Sequence, residues 1–199
     1  MNSPFDVERN IEMIGCICPS PHLKRLKEIK QEMKNCKVYV EIGVLYGGSM
    51  IMMMDMQNEC LHIGIDPFSG YYGSTYDPHR KIDLTNHYDI VNDNIKKNNK
   101  YFHKWKLIKG SSYDINTSNQ VKDIIDFLFI DGDHSYSGVL DDFHHYKDKV
   151  RKGGIIAFDN YADPCWKEVK PAVDKIVLDN KDYYKVKETC GNCLVLEKL

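Results

Sequence analysis

Two rhythms of apolar residues run along this chain. One is a set of short, unbroken apolar runs: KVYVEI at 37–42, LHIGI at 61–65, Trp105 to Ile108, FLFI at 127–130 and GIIAF at 154–158. Each is rich in β-branched or aromatic residues, as buried parallel strands are. The other rhythm is helical. In His22 to Lys34 the apolar residues fall at 23, 26, 29 and 33, with charge on the remaining face. Pro21, just before, suits a helix start. Further helices are expected at Met50 to Asn58, near Asn86 to Asn98, between FLFI and Lys152-Gly153-Gly154, and at Trp166 to Leu178, with Pro171 tolerated near the last one's first turn. The chain closes on two strands flanking Gly191-Asn192, a turn pair for a terminal hairpin. Alternating strands and helices predict an α/β fold: a mostly parallel, seven-stranded sheet with helices on both faces and the C-terminal hairpin bringing in one antiparallel strand. No repeat or low-complexity linker interrupts it. A single domain over 1–199 is expected, with 1–36 as an N-terminal helical extension.

Ligands of such sheets bind beyond the carboxyl ends of the strands. The chemistry-bearing residues sit there. Asp131, Asp133 and His134 follow FLFI, and Asp159-Asn160 follows GIIAF. Together they form a carboxylate-rich set, suited to a hard cation or to proton transfer. Each residue also has a plainer reading: a helix cap for Asp131, an Asx-type turn for Asp159-Asn160, a local bond to a neighbouring acid for His134. The first strand runs into Glu41-Ile42-Gly43-Val44-Leu45-Tyr46-Gly47-Gly48-Ser49. These glycines are four apart, which is not the G-x-G-x-x-G fingerprint. They allow the backbone to approach a ligand closely. Glu41 can accept bonds from a cationic amino group. Asp66, ending the second strand, is placed for a ribose diol. Gly110-Ser111-Ser112 follows the third.

Charge and composition narrow the partners. A net charge of -2 leaves no basic footprint for nucleic acid and no cationic face for a membrane, and 42% hydrophobic residues support a globular core. No apolar run approaches a membrane span, and MNSPFDVERN lacks the pattern of a secretion signal, so a cytoplasmic location is expected. Seven cysteines, an odd number, do not read as a disulfide framework. Cys16 and Cys18 could join Cys190 and Cys193 as four zinc thiolates. The simpler reading makes Cys190 and Cys193 the flanks of the hairpin turn. Met50, Met52, Met53, Met54 and Met56 are expected to pack in the core. His144-His145 lies within a helix, where adjacent side chains diverge, so a metal site there is not expected.

In this order the motifs resemble those of class I S-adenosylmethionine-dependent methyltransferases. VEIGVLYGGSM is similar to that fold's first motif, HIGIDPF to its ribose-binding strand end, and FLFIDGDHSY and RKGGIIAFDNY to its fourth and fifth strands. The resemblance covers about residues 37–197 and is nearest to small-molecule O-methyltransferases with a bound divalent metal. It implies S-adenosylmethionine held by Glu41, Gly43, Gly47, Ser49, Asp66, Ser111, Ser112 and Asp131. It also implies magnesium, or another divalent ion, on Asp131, Asp159 and Asn160, the ligands being all oxygen. Catechol-type enzymes carry the same acids. Macrolide-sugar enzymes add a histidine base three residues after the metal Asp, which Asp131-Gly132-Asp133-His134 matches. The implied catalytic residues are His134 and Asp131, and the implied acceptor is a sugar or nucleotide-sugar hydroxyl. The aromatic loop from Pro67 to Lys81, with Phe68, Tyr71, Tyr72, Tyr76 and His79, is expected to cover it. A cephalosporin-hydroxylase-like reaction or a non-catalytic binding domain are the alternatives. Self-association is left open.

Overall fold

The structure is a computed structural model and describes residues 21–69 and 86–199. Seven strands form one sheet: β1 (Val38–Ile42), β2 (Leu61–Asp66), β3 (Lys104–Lys109), β4 (Ile125–Ile130), β5 (Val150–Phe158), β6 (Tyr184–Cys190) and β7 (Cys193–Lys198). Their order is β3-β2-β1-β4-β5-β7-β6. The pairs from β3 through β5 are parallel, and β7 runs antiparallel to both β5 and β6. Strand order reverses between β1 and β4, which opens a crevice at their carboxyl ends.

Side chains alternate across a strand, so each strand feeds two cores. Tyr39, Phe127, Phe129, Ile155, Ala157 and Val195 face one side. There they meet α1 (Pro21–Glu32), the methionine-rich α2 (Gly48–Met54) and α3 (His87–Asn98). Val40, Ile42, Leu128, Ile130, Ile156 and Leu196 face the other, under α5 (Tyr136–Tyr146) and α6 (Val169–Asp179). A one-turn helix, α4 (Ile115–Ser118), follows β3 and is capped by Asp114, whose side chain accepts from Asn116 N. Asp126 fixes the register at the opposite end of the sheet. Its carboxylate accepts from Lys37 N at 2.8 Å, Val38 N at 2.9 Å and the Arg151 guanidinium, tying β1, β4 and β5 together.

Among the polar side chains fully buried in the first core are Lys30 and His62. Lys30, on α1, donates its ammonium to Met53 O at 2.9 Å and lies 3.2 Å from His62 Nε2. Burial holds the His62 imidazole well below its ordinary range and lowers the Lys30 ammonium as well. The ring is therefore neutral. With Nδ1–H donating to Cys60 O, its Nε2 lone pair can accept from Lys30.

Several boundaries differ from the sequence reading. The first glycine-turn helix starts at Gly48 and stops at Met54, earlier than Asn58, because Asp55 leaves helical geometry there. Lys152-Gly153-Gly154 does not close a helix. It lies inside β5, where Gly153 at φ 69° accompanies a register shift against β4 between Ile125 and Phe127. The final helix begins at Val169 rather than Trp166, which puts Pro171 in its first turn. The methionines are core as expected, from Met50 at 0% to Met56 at 6% exposure. His144 and His145 fold back onto Leu140 O and Asp141 O. Residues 1–20 of the expected extension, with Cys16 and Cys18, lie outside the described residues. So do 70–85, which include Tyr71, Tyr72, Tyr76 and His79 of the expected acceptor loop. No described helix is long and apolar enough to cross a membrane.

Candidate active site

The turn after β1 is shaped by what lies beside it. Gly43 (φ 83°) and Gly47 (φ 86°) both take left-handed backbone. A Cβ on Gly43 would stand 1.9 Å from Asp131 O, so the turn packs directly against the end of β4. Asp66 braces the turn from β2. One carboxylate oxygen accepts from Val44 N at 2.9 Å and Leu45 N at 3.3 Å, and the other from Phe68 N at 2.7 Å.

Glu41 faces the α2 side, is fully buried, and accepts from Ser49 Oγ at 2.6 Å and Tyr39 Oη at 2.5 Å. Burial pushes its carboxyl up to about 8, although both hydroxyl donors favour the charged form. The folded chain thus keeps a proton that the unfolded chain releases at ordinary carboxyl pH. That stability is complete below about pH 4.5 and is lost as pH rises towards 8, at no more than about 1.4 kcal/mol per pH unit. Urea denaturation at pH 5 and pH 8 should show the wild type losing more stability than Glu41→Gln over this interval. Parallel losses in the two proteins would contradict this account of Glu41.

After β3, Ser111 is half-buried and its carbonyl accepts from Asp114 N at 3.1 Å. Ser112 turns inward, and its hydroxyl donates to the buried Asp142 at 2.5 Å. Burial pushes the Asp142 carboxyl up to about 7, and its second oxygen has no hydrogen-bond partner.

The acidic set gathers where β4 and β5 end. Ile130 and Phe158 are register partners, which makes Asp131 and Asp159 neighbours across the sheet. Asp159 lies close enough for its charge to act on Asp131. Burial, then the charge of Asp159, drives the Asp131 carboxyl upward against the pull of His134. His134 Nε2 lies 3.2 Å from Asp131 Oδ1, and its ring stacks on Trp166 at 4.3 Å. Burial acts to lower the His134 titration, but the Asp131 hydrogen bond and charge outweigh it, so the net shift is upward. Ser135, rather than Asp131, caps α5 by accepting from Gly138 N. Asn160, at φ 56°, makes a backbone turn in which its carbonyl accepts from Asp163 N at 3.1 Å; the Asx-type bond comes three residues later, where Asp163 Oδ1 accepts from Cys165 N at 2.8 Å. The Asn160 side-chain Nδ2 donates to Asp163 Oδ2 at 3.3 Å. Asp131 and His134 are thus in contact, and Asp159 and Asn160 follow the end of the neighbouring strand.

Two facing carboxylates repel when both are charged, and a shared proton or a cation relieves that. The amide oxygen of Asn160 adds a neutral hard donor. These residues fit a divalent ion with water completing its shell. Sequence reasoning missed three neighbours. Trp166 had no motif to mark it, Cys193 was weighed as a zinc thiolate with Cys16, Cys18 and Cys190 and taken as a turn flank but not placed beside Asp159, and His22 was read only as the start of a helix.

A crevice at the strand-order reversal, a glycine turn after β1, an acid ending β2 and an antiparallel β7 define the class I S-adenosylmethionine-dependent methyltransferase fold. A family model described as a methyltransferase domain matches residues 40–161, and the chain belongs to that family. It is 37% identical over 150 residues to the uncharacterized protein R132 of Acanthamoeba polyphaga mimivirus. That match takes in 73% of this chain and 62% of R132, so the chain spans under two thirds of that relative. Among solved structures, the O-methyltransferase NovP superposes with a TM-score of 0.67 at 19% identity, over 92% of this chain and 83% of NovP. CalS11, described as a TDP-rhamnose 3'-O-methyltransferase of calicheamicin biosynthesis, gives 0.63 at 15% identity, over 99% and 96%. These likenesses concern the fold.

Proposed function

We propose that this chain transfers a methyl group from S-adenosylmethionine to a hydroxyl of a small molecule, a sugar or nucleotide-sugar, with a divalent ion held by Asp131, Asp159 and Asn160. The observation that carries this reading is the His134–Asp131–Asp159 grouping at the strand ends beside the glycine turn. The methyl carbon leaves the sulfonium as its bond to the acceptor oxygen forms, and the hydroxyl proton must leave. His134 is the base for that proton, its ring fixed by Trp166 and Asp131. A divalent ion, magnesium from the oxygen donors, supplies acidification of the acceptor hydroxyl. A sugar hydroxyl, being weakly acidic, gains most from an ion and a base together. The sugar named for CalS11 supports the same acceptor class.

Turnover of labelled S-adenosylmethionine against a panel of nucleotide-sugars, free sugars and catechols tests this. Transfer to at least one sugar is expected; catechols outperforming every sugar would remove the sugar assignment. Calorimetry with SAH, the demethylated cofactor, should give micromolar-range binding. Asp66→Ala should weaken it by about 1–3 kcal/mol, through lost charge-assisted bonds to ribose and to the turn. Absence of SAH binding, with tight binding of a nicotinamide dinucleotide instead, would overturn the cofactor assignment.

A further inference from the structure

Asp159 has two partners outside the oxygen-donor set. Its Oδ1 accepts from Cys193 Sγ at 2.9 Å and lies 3.2 Å from His22 Nε2. The three residues come from distant parts of the chain: the start of α1, the end of β5 and the start of β7. Their ligating atoms all lie within 4.8 Å of one another. The donors of a tetrahedral zinc ion, bound at about 2.0–2.3 Å, stand roughly 3.3–3.8 Å apart, so this triangle needs little adjustment.

The surroundings hold the triangle in place. Cys193 is fully buried, and its position is set by β7, where it pairs across the turn with Cys190. A Cβ on Gly191 would sit 3.2 Å from His22 Cβ, so the hairpin tip packs on the histidine. The His22 and Asp159 side chains keep 16% and 12% of their surface exposed, which leaves one side open for a water or an exchangeable ligand. A thiol is a weak hydrogen-bond donor, so its bond to Asp159 is easily given up. Imidazole, carboxylate and thiolate together are the donor types of zinc-class ions, whereas magnesium avoids sulfur.

We propose that His22 Nε2, Asp159 and Cys193 Sγ form a binding site for a zinc-class divalent ion, with Asp159 shared between it and the oxygen-donor set. On binding, the ion takes the place of the thiol proton, which leaves to solvent; no electron transfer is involved. The four-thiolate arrangement involving Cys16 and Cys18 is not needed. An ion here draws on the same carboxylate that Asp131 and Asn160 use, so zinc and magnesium compete for it.

Cobalt(II) titrated into the metal-stripped full chain reads the site directly. An intense near-ultraviolet thiolate-to-cobalt absorption is expected, reversed by equimolar zinc. Cys193→Ser should abolish that band, and His22→Ala should lower cobalt and zinc affinity at least tenfold by calorimetry. Circular dichroism checks the fold of each variant. If Cys193→Ser does not fold, the wild-type spectrum with the His22→Ala affinity decides. A cobalt spectrum without the thiolate band, or His22→Ala binding zinc as tightly as the wild type, would overturn the site. This failure is distinct from failure of the methyl-transfer reading. Magnesium-supported transfer with no thiolate band refutes only the zinc site. The band without any transfer refutes only the proposed reaction.

Discussion

Methyl transfer should cease in EDTA and return with magnesium, and the Asp159→Ala, Asn160→Ala double variant should not recover on that addition. The expected loss is on the order of 10³ in rate, the several kcal/mol that a Lewis acid contributes to acidifying and orienting a hydroxyl. The structure gives the reason for so large an effect. Asp131 and Asp159 follow register partners on β4 and β5, so the sheet itself fixes their separation. Asn160 is carried into the same space by its left-handed turn. His134 lies 3.2 Å from Asp131 and His22 lies 3.2 Å from Asp159. SAH affinity of the double variant should stay close to wild type, because the glycine turn and Asp66 are untouched. Undiminished activity of the double variant in chelator would remove the metal from the mechanism.

His134→Ala should lower the rate by roughly 10²–10⁴, the span of a lost general base, with SAH affinity nearly unchanged. Trp166 holds the imidazole by stacking and Asp131 holds one nitrogen, so the ring is oriented before any acceptor binds. The base works deprotonated. Asp131 favours the charged imidazole, so the wild-type rate should be low in acid, rise with pH through the histidine's titration, and then level off. His134→Ala should lack that limb. Full activity of the variant on the best acceptor would show that the ion or another group takes the proton.

The parallel core of this fold was legible because buried strands leave unbroken apolar runs, and FLFI and GIIAF are of that kind. Asp131 and Asp159 were legible for the same reason: each is the first acid after such a run. The β5 boundary was not. Lys152-Gly153-Gly154 carries the composition of a helix stop, yet lies in a bulged strand, beside Arg151 and its contact with Asp126. The roles of His22 and Cys193 were also hidden. Their contact with Asp159 depends on α1 and β7 converging on one strand end, a tertiary fact with no local pattern. Ser112 could be placed after β3, but its inward turn depends on the buried Asp142, thirty residues on.

The matched stretch, 40–161, is smaller than the unit that folds. It begins within β1 and runs through β5 but omits β6, β7, α1 and α6. Cutting the chain there would leave the hydrogen-bonding edge of β5 open along Ile155 to Phe158, where β7 now pairs. It would also uncover the methionine face that Leu23, Leu26 and Ile29 now seal. A bare apolar strand edge beside an exposed apolar surface is a template for aggregation. A fragment trimmed to the matched stretch, lacking α1, α6, β6 and β7, is therefore expected to come out insoluble.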